Sequence, residues 1–164
     1  MRKYRLTDEE IIVGCRTLYR IQALRDFGDV KEGEFGGWIE SEKNLSHEGS
    51  AWVSDNAWVY GDACVSGNAW VYGNARVYGN AQVSGDADIK TTGDICSMSG
   101  FGSEYRTTTA FRTKNGDVHV SCGCFQGNLE AFCQRVESTH GNTLYGREYK
   151  KMIEMLKIHF EVEP

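Results

Sequence analysis

From Ser50 to Thr91 the chain repeats itself every six residues without a gap: SAWVSD, NAWVYG, DACVSG, NAWVYG, NARVYG, NAQVSG and DADIKT. Each unit carries Ala second, a variable residue third and Val or Ile fourth, and most close on Gly followed by Asn or Asp. A unit of this kind is one short strand plus a corner, and the strand is too short to be stable alone. Successive units must therefore stack on one another to bury their apolar side chains.

This pattern resembles the hexapeptide repeat of left-handed parallel β-helix proteins. The resemblance implies that three hexads close a triangular coil of about 18 residues. Val53, Val59, Val65, Val71, Val77, Val83 and Ile89 would fill the interior, and Ala57, Ala63, Ala69 and Ala75 the cramped inner corners, where larger side chains would overpack. Gly61, Gly67, Gly73 and Gly79 supply corner residues that tolerate positive φ. Ile39 and Leu45 share the six-residue spacing, and Ile95 follows Ile89 by six. The expected fold class is therefore mainly β: a short left-handed parallel β-helix over 36–96, with a two-residue irregularity before Val53. A β-hairpin cap occupies 1–35 and a small α+β module 97–164.

Residues 18 apart should stack in neighbouring coils. That places Trp52 over Trp70, Tyr60 over Tyr78 and Trp58 over Arg76. With Tyr72, these rings make an aromatic outer wall, which on a protein surface marks a contact site. A homotrimer or homodimer formed through Trp52, Trp58, Trp70, Tyr60, Tyr72 and Tyr78 is the expected assembly.

The head alternates Tyr19, Ile21 and Ala23 with Arg20, Gln22 and Leu24, which predicts a hairpin closed near Val13-Gly14. The segment DFGDVKEGEFGGWI, of form D-F-x-x-V-x-x-G-x-x-GGWI, looks like the head of a bacterial and bacteriophage family of hexapeptide-repeat proteins. The resemblance covers roughly the first 100 residues, and members carry the name transferase by analogy of fold. In the tail, Thr107 to Thr113 and Val118 to Ser121 read as strands joined at Asn115-Gly116. Two helices follow, the first with Leu129, Phe132, Cys133 and Val136 on one face, Asn128 as N-cap and Gly141 as stop. The second buries Tyr145, Tyr149, Met152, Ile153, Leu156 and Phe160. The strings TTTAFRTKNGDVHVSCGCF, VESTHG and REY resemble a C-terminal module of phage proteins of this kind.

A net charge of −5 excludes a general nucleic-acid binder, which needs a basic surface, and leaves a basic protein surface as a fitting partner. No apolar run is long enough to span a bilayer, and the start MRKYRLTDEE has no apolar targeting region, so a cytoplasmic protein is expected. The six cysteines are expected reduced, since Cys64 faces outward with no mate.

Few residues offer chemistry. Left-handed β-helix acyltransferases use a histidine as general base against an acyl carrier such as acetyl-coenzyme A, and His47, in NLSHEG, is the one histidine of the repeat region. A solvated corner residue is the simpler account of it. Cys122, Cys124, Cys133 and His140 are a set that can bind zinc, although the spacing is not that of a structural zinc site. A thiolate paired with His140 is a second option, and small core thiols the leading one. Arg106 and Arg112 are candidate anion ligands. The resulting expectation is a non-enzymatic, cofactor-free binding protein of phage or prophage type that inhibits a host defence protein such as a CRISPR nuclease, with the C-terminal module as effector. The alternatives are a hexapeptide-repeat acyltransferase using His47 and a sponge for a small nucleotide signal.

Overall fold

A computed structural model describes residues 1–162; Glu163 and Pro164, the end of the expected C-terminal module, lie outside the described residues. Strands β1 (Tyr4–Val13) and β2 (Arg16–Ala23) form the predicted hairpin. Val13 faces Arg16 across it, so Gly14 and Cys15 make the turn, and Gly14 takes the positive φ that such a tight turn requires. Strand β3 (Phe35–Ile39) pairs antiparallel with β2, through Tyr19 opposite Ile39 and Arg20 opposite Trp38.

The hexads contribute seven two-residue strands, β4 (Trp52–Val53), β5 (Trp58–Val59), β6 (Cys64–Val65), β7 (Trp70–Val71), β8 (Arg76–Val77), β9 (Gln82–Val83) and β10 (Asp88–Ile89). Each pairs in parallel with a strand three units away. Trp52 lies opposite Trp70 and Trp70 opposite Asp88, Trp58 opposite Arg76, and Cys64 opposite Gln82. Backbone bonds tie the layers together: Trp52 N–H to Ala69 O, Ser54 N–H to Val71 O, Trp70 N–H to Ala87 O and Tyr72 N–H to Ile89 O, each 2.9 Å. The Val and Ile of every unit and the Ala before it are buried. Gly67 shows why the corners need glycine: its φ is +67°, and a Cβ there would stand 2.8 Å from the Gly85 nitrogen of the next layer. Ile39 pairs with Val59 and Leu45 with Val65, a separation two residues longer than in the regular hexads. The extra residues lie between Leu45 and Val53. Beside them Asn44 is buried and donates to Gly61 O at 3.1 Å and Ala63 O at 2.8 Å, so its side chain satisfies carbonyls of the next layer.

The expected fold class is corrected by this topology. Among the described residues the strands do not form a single regular left-handed parallel β-helix. They divide into four small sheets: β1-β2-β3-β5-β8, which is mixed, β4-β7-β10 and β6-β9, which are parallel, and a four-stranded antiparallel sheet in the tail. Two physical reasons account for the difference. Four of six residues in each hexad are spent on corners, so the parallel strands stay two residues long. The N-terminal hairpin also joins the end of the sheet of β5 and β8, through the antiparallel pairing of β2 on β3, which makes that sheet mixed.

Ile95 ends the repeat register by opening an antiparallel strand. It starts β11 (Ile95–Phe101), which pairs with β12 (Arg106–Arg112), and that in turn with β13 (Val118–Cys122) and β14 (Phe125–Asn128). Helices α1 (Leu129–His140) and α2 (Leu144–His159) follow. The Asn128 side chain accepts from Ala131 N–H at 2.8 Å and caps α1, and Gly141 ends it. Successive residues of β12 point to opposite faces. Ala110 joins the core beneath the helices, with Val120, Phe132, Met152 and Leu156, while Phe111 joins the core of the hexads. Strand β12 thus closes the open end of the repeats, and Thr109 Oγ1 accepts from Gln82 N–H at 3.0 Å.

At the other end Lys3 is fully buried, its ammonium donating to Ala51 O at 2.7 Å and lying 5.0 Å from the Phe27 ring centre. Burial, then the nearby Arg25, pushes its pKa from 10.5 down to about 8, against a smaller upward pull from Glu48. Between these values the unfolded chain binds the proton and the folded chain does not, so stability from this residue rises with pH. The stability of wild type relative to Lys3→Met is therefore expected to be level below pH 8. It should then increase by on the order of 3 kcal/mol towards pH 10.5, as read by urea unfolding; a difference independent of pH would contradict the assignment.

Candidate binding surfaces

The wall expected from the hexads is only partly exposed. Trp52 is corrected outright: it is 0% exposed and packs edge-on against Phe27 at 5.2 Å and Tyr4 at 6.4 Å. The head covers that face, which the 18-residue register alone could not reveal. Trp58 is half-buried, with the Arg76 guanidinium 4.2 Å from its ring centre, and Tyr60 stacks on Tyr78 at 5.5 Å. Tyr78 stands exposed.

Trp70 and Tyr72 have a different setting. They line a cavity of about 530 Å³ with Asp29, Glu34, Asp55, Asp88 and Lys114. The parallel register lays Asp88 against Trp70. Asp55 holds a corner at φ +53°, where its Oδ2 accepts from Gly73 N–H at 3.0 Å, while Asp29 and Glu34 come from the loop before β3. Burial raises the Tyr72 phenol pKa, helped by the neighbouring Asp88 and by the charges of Asp94 and Asp55. Among the described residues none of the four carboxylates forms an ion pair, and Lys114 instead donates to Asn68 O at 3.1 Å. Sequence reasoning missed this group because Asp88 occupies a variable hexad position, Asp55 a corner where most units place glycine, and Asp29 and Glu34 the head. The spacing of Trp70 and Asp88 was the available signal.

His47 faces the head. Its ring stacks on Tyr4 at 4.3 Å, and Nδ1 accepts from Lys3 N–H at 3.2 Å, which leaves the proton of the neutral ring on Nε2. Nε2 is buried without a hydrogen-bond partner, 3.9 Å from Glu42 Oε2. Neither nitrogen is placed to take a proton from an acceptor substrate.

In the tail, Cys122, Cys124 and His140 come together with Phe125, Arg135 and Tyr149 around a cavity of about 120 Å³. Cys133 packs instead against the helix–sheet core, so the four residues do not converge as one ligand set. Among the described residues no group of three or more His, Cys, Asp and Glu is placed to hold a metal. Thr108 donates to Cys122 Sγ at 3.2 Å, and His140 stacks on Tyr149 at 5.5 Å. Tyr149 is pushed up to about 12, first by burial and then by Cys122, with Arg106 pulling the other way. Arg106 and Arg112 stand at opposite ends of β12. Arg106 packs over Gly123, where a Cβ would overlap it, and Arg112 is occupied by Phe160 O at 2.8 Å. They do not form one anion site.

A third cavity, of about 430 Å³, is apolar, with Met98 and Phe101 of β11 facing Leu144, Met152 and Met155 of α2. No sequence expectation covered it, because β11 itself was not anticipated. No helix among the described residues is long and apolar enough to cross a membrane.

The thiols differ in ways that labelling can read. Cys15 and Cys124 are exposed, whereas burial raises the Cys64 and Cys96 thiols. Peptide mapping after limited alkylation should find Cys15 and Cys124 modified first and Cys64 and Cys96 last; labelling of Cys64 as fast as Cys15 would contradict the burial described.

No family model matches the chain. Part of it is similar to an uncharacterized acetyltransferase, YdcK, of Escherichia coli (strain K12), with 40% identity over 63 residues. The match covers 34% of this chain and 19% of that relative, so the chain spans about one fifth of the length of the protein it resembles.

Proposed function

We propose that this chain is a non-enzymatic binding protein of phage or prophage type that receives a basic surface of a host protein in the acidic cavity of its repeat wall. The observation that carries this reading is the set of four carboxylates without an ion pair around Trp70 and Tyr72. Carboxylates accept from guanidinium and ammonium groups, and aromatic faces attract the same cations. The excess of acidic residues across the chain supports an encounter with a basic partner. The nucleic-acid channel of a defence nuclease is a surface of this class, and a CRISPR effector is one example. The phage assignment rests on the resemblance of the head segment.

The comparison favours a second reading more directly than it favours this one. The similar protein from E. coli is called an acetyltransferase, which speaks for a hexapeptide-repeat acyltransferase using acetyl-coenzyme A. Against it stands His47, whose Nδ1 is occupied and whose Nε2 is buried.

Two measurements separate the readings. Titration with an arginine-rich peptide, followed by tryptophan fluorescence, should give saturable binding that weakens about tenfold in Asp88→Asn and further with added salt. Incubation with acetyl-coenzyme A and a panel of amine and hydroxyl acceptors should give no turnover. Turnover that disappears in His47→Ala would replace binding by acyl transfer, and a peptide indifferent to Asp88→Asn would remove the cavity from the account.

A further inference from the structure

The outer flank of α2 carries a pattern that, Met152 apart, the helix–sheet core does not use. Leu144 and Met155 are 58% and 55% exposed, and together with Arg147, Glu148, Lys151 and Met152 they form the helical side of the apolar cavity. Spacings of three and four residues place all six on one face of the helix. Reversing the direction of the helix about the midpoint between Tyr149 and Lys150 maps this set onto itself. Leu144 then falls on Met155, Arg147 on Met152 and Glu148 on Lys151.

We propose that this face binds a second copy of the chain, with α2 packed antiparallel on the partner's α2 across a two-fold axis. A two-fold contact requires a self-complementary surface, and this arrangement sets Leu144 against Met155 at both ends and Glu148 against Lys151 between them, while Arg147 falls on the position of Met152, which is buried in its own chain. A parallel arrangement would set Glu148 against Glu148 and Lys151 against Lys151, which repels. Met98 and Phe101 of β11 extend the apolar floor beside the helix. Glu148 keeps one oxygen free for a partner, since Oε2 alone accepts from Gly102 N–H at 2.9 Å. Lys151 is tied only to Glu154 at 3.1 Å, an exposed pair of little strength that a partner carboxylate can share. This contact differs from the tryptophan wall expected from the hexads and does not depend on the binding function proposed above.

The test is sedimentation of the full chain at micromolar concentration. Wild type should be dimeric, and Met155→Glu monomeric while retaining the circular dichroism of the parent, since Met155 is exposed. Lys151→Glu and Glu148→Lys should each weaken the dimer about tenfold, and an equimolar mixture of these two variants should restore it. The restored mixture is the outcome that a merely structural role for either residue would not produce. A monomeric wild type, a dimer untouched by Met155→Glu, a mixture that stays dissociated, or association lost on Trp58→Ala alone would each overturn the proposal.

Discussion

Every other feature of this molecule depends on the backbone bonding between hexads 18 residues apart. A two-residue strand cannot stand by itself. It persists because Trp52, Ser54, Trp70 and Tyr72 donate to carbonyls of the next layer and because the column of Val, Ile and Ala is closed to water. Layers bonded only to their neighbours leave two open ends, and open strand edges invite unwanted pairing. The head covers one end, with Tyr4, Phe27 and the buried Lys3, and the β12 residues Phe111 and Thr109 cover the other. The antiparallel sheet and helices then form a second core on the far face of β12.

The wall inherits its chemistry from this register. Because Asp88 must lie against Trp70, and Asp55 must hold a corner beside Gly73, a row of variable positions becomes a carboxylate-lined cavity around two rings. The same register puts Arg76 on Trp58, so one wall is capped by a cation and the other is left acidic. The head supplies Asp29 and Glu34 to the acidic side and buries Trp52. The cavity is therefore a joint product of head and repeats, and the likeness to part of a much longer acetyltransferase concerns only a fraction of the chain.

Much of this was legible in the residues, in uneven ways. The inward column, the 18-residue pairing, the hairpin turn at Gly14, the turn at Asn115-Gly116 and the cap at Asn128 follow from local chemistry that the chain cannot avoid. The fold class did not follow. Local periodicity says nothing of β2 and β3 entering the same sheet as β5 and β8, or of Ile95, correctly spaced, turning antiparallel to pair with Phe111. Strand β11 carries two Ser and a Gly and β14 is only four residues long, so pairing with β12 and β13 is what makes them strands. The site residues failed where long-range packing decides exposure: Trp52 lies under the head, Cys133 turns into the helix–sheet core, and Arg112 is used by the end of α2.

The central claim is that the hexads, closed at both ends, behave as one cooperative unit with the sheet that seals them. Native-state hydrogen exchange in low denaturant measures this directly. The amides of Ser54, Trp70 and Tyr72 are expected to exchange only through the same global opening as those of β12, with the same denaturant dependence. Exchange of the hexad amides through small local openings, while β12 stays protected, would contradict it.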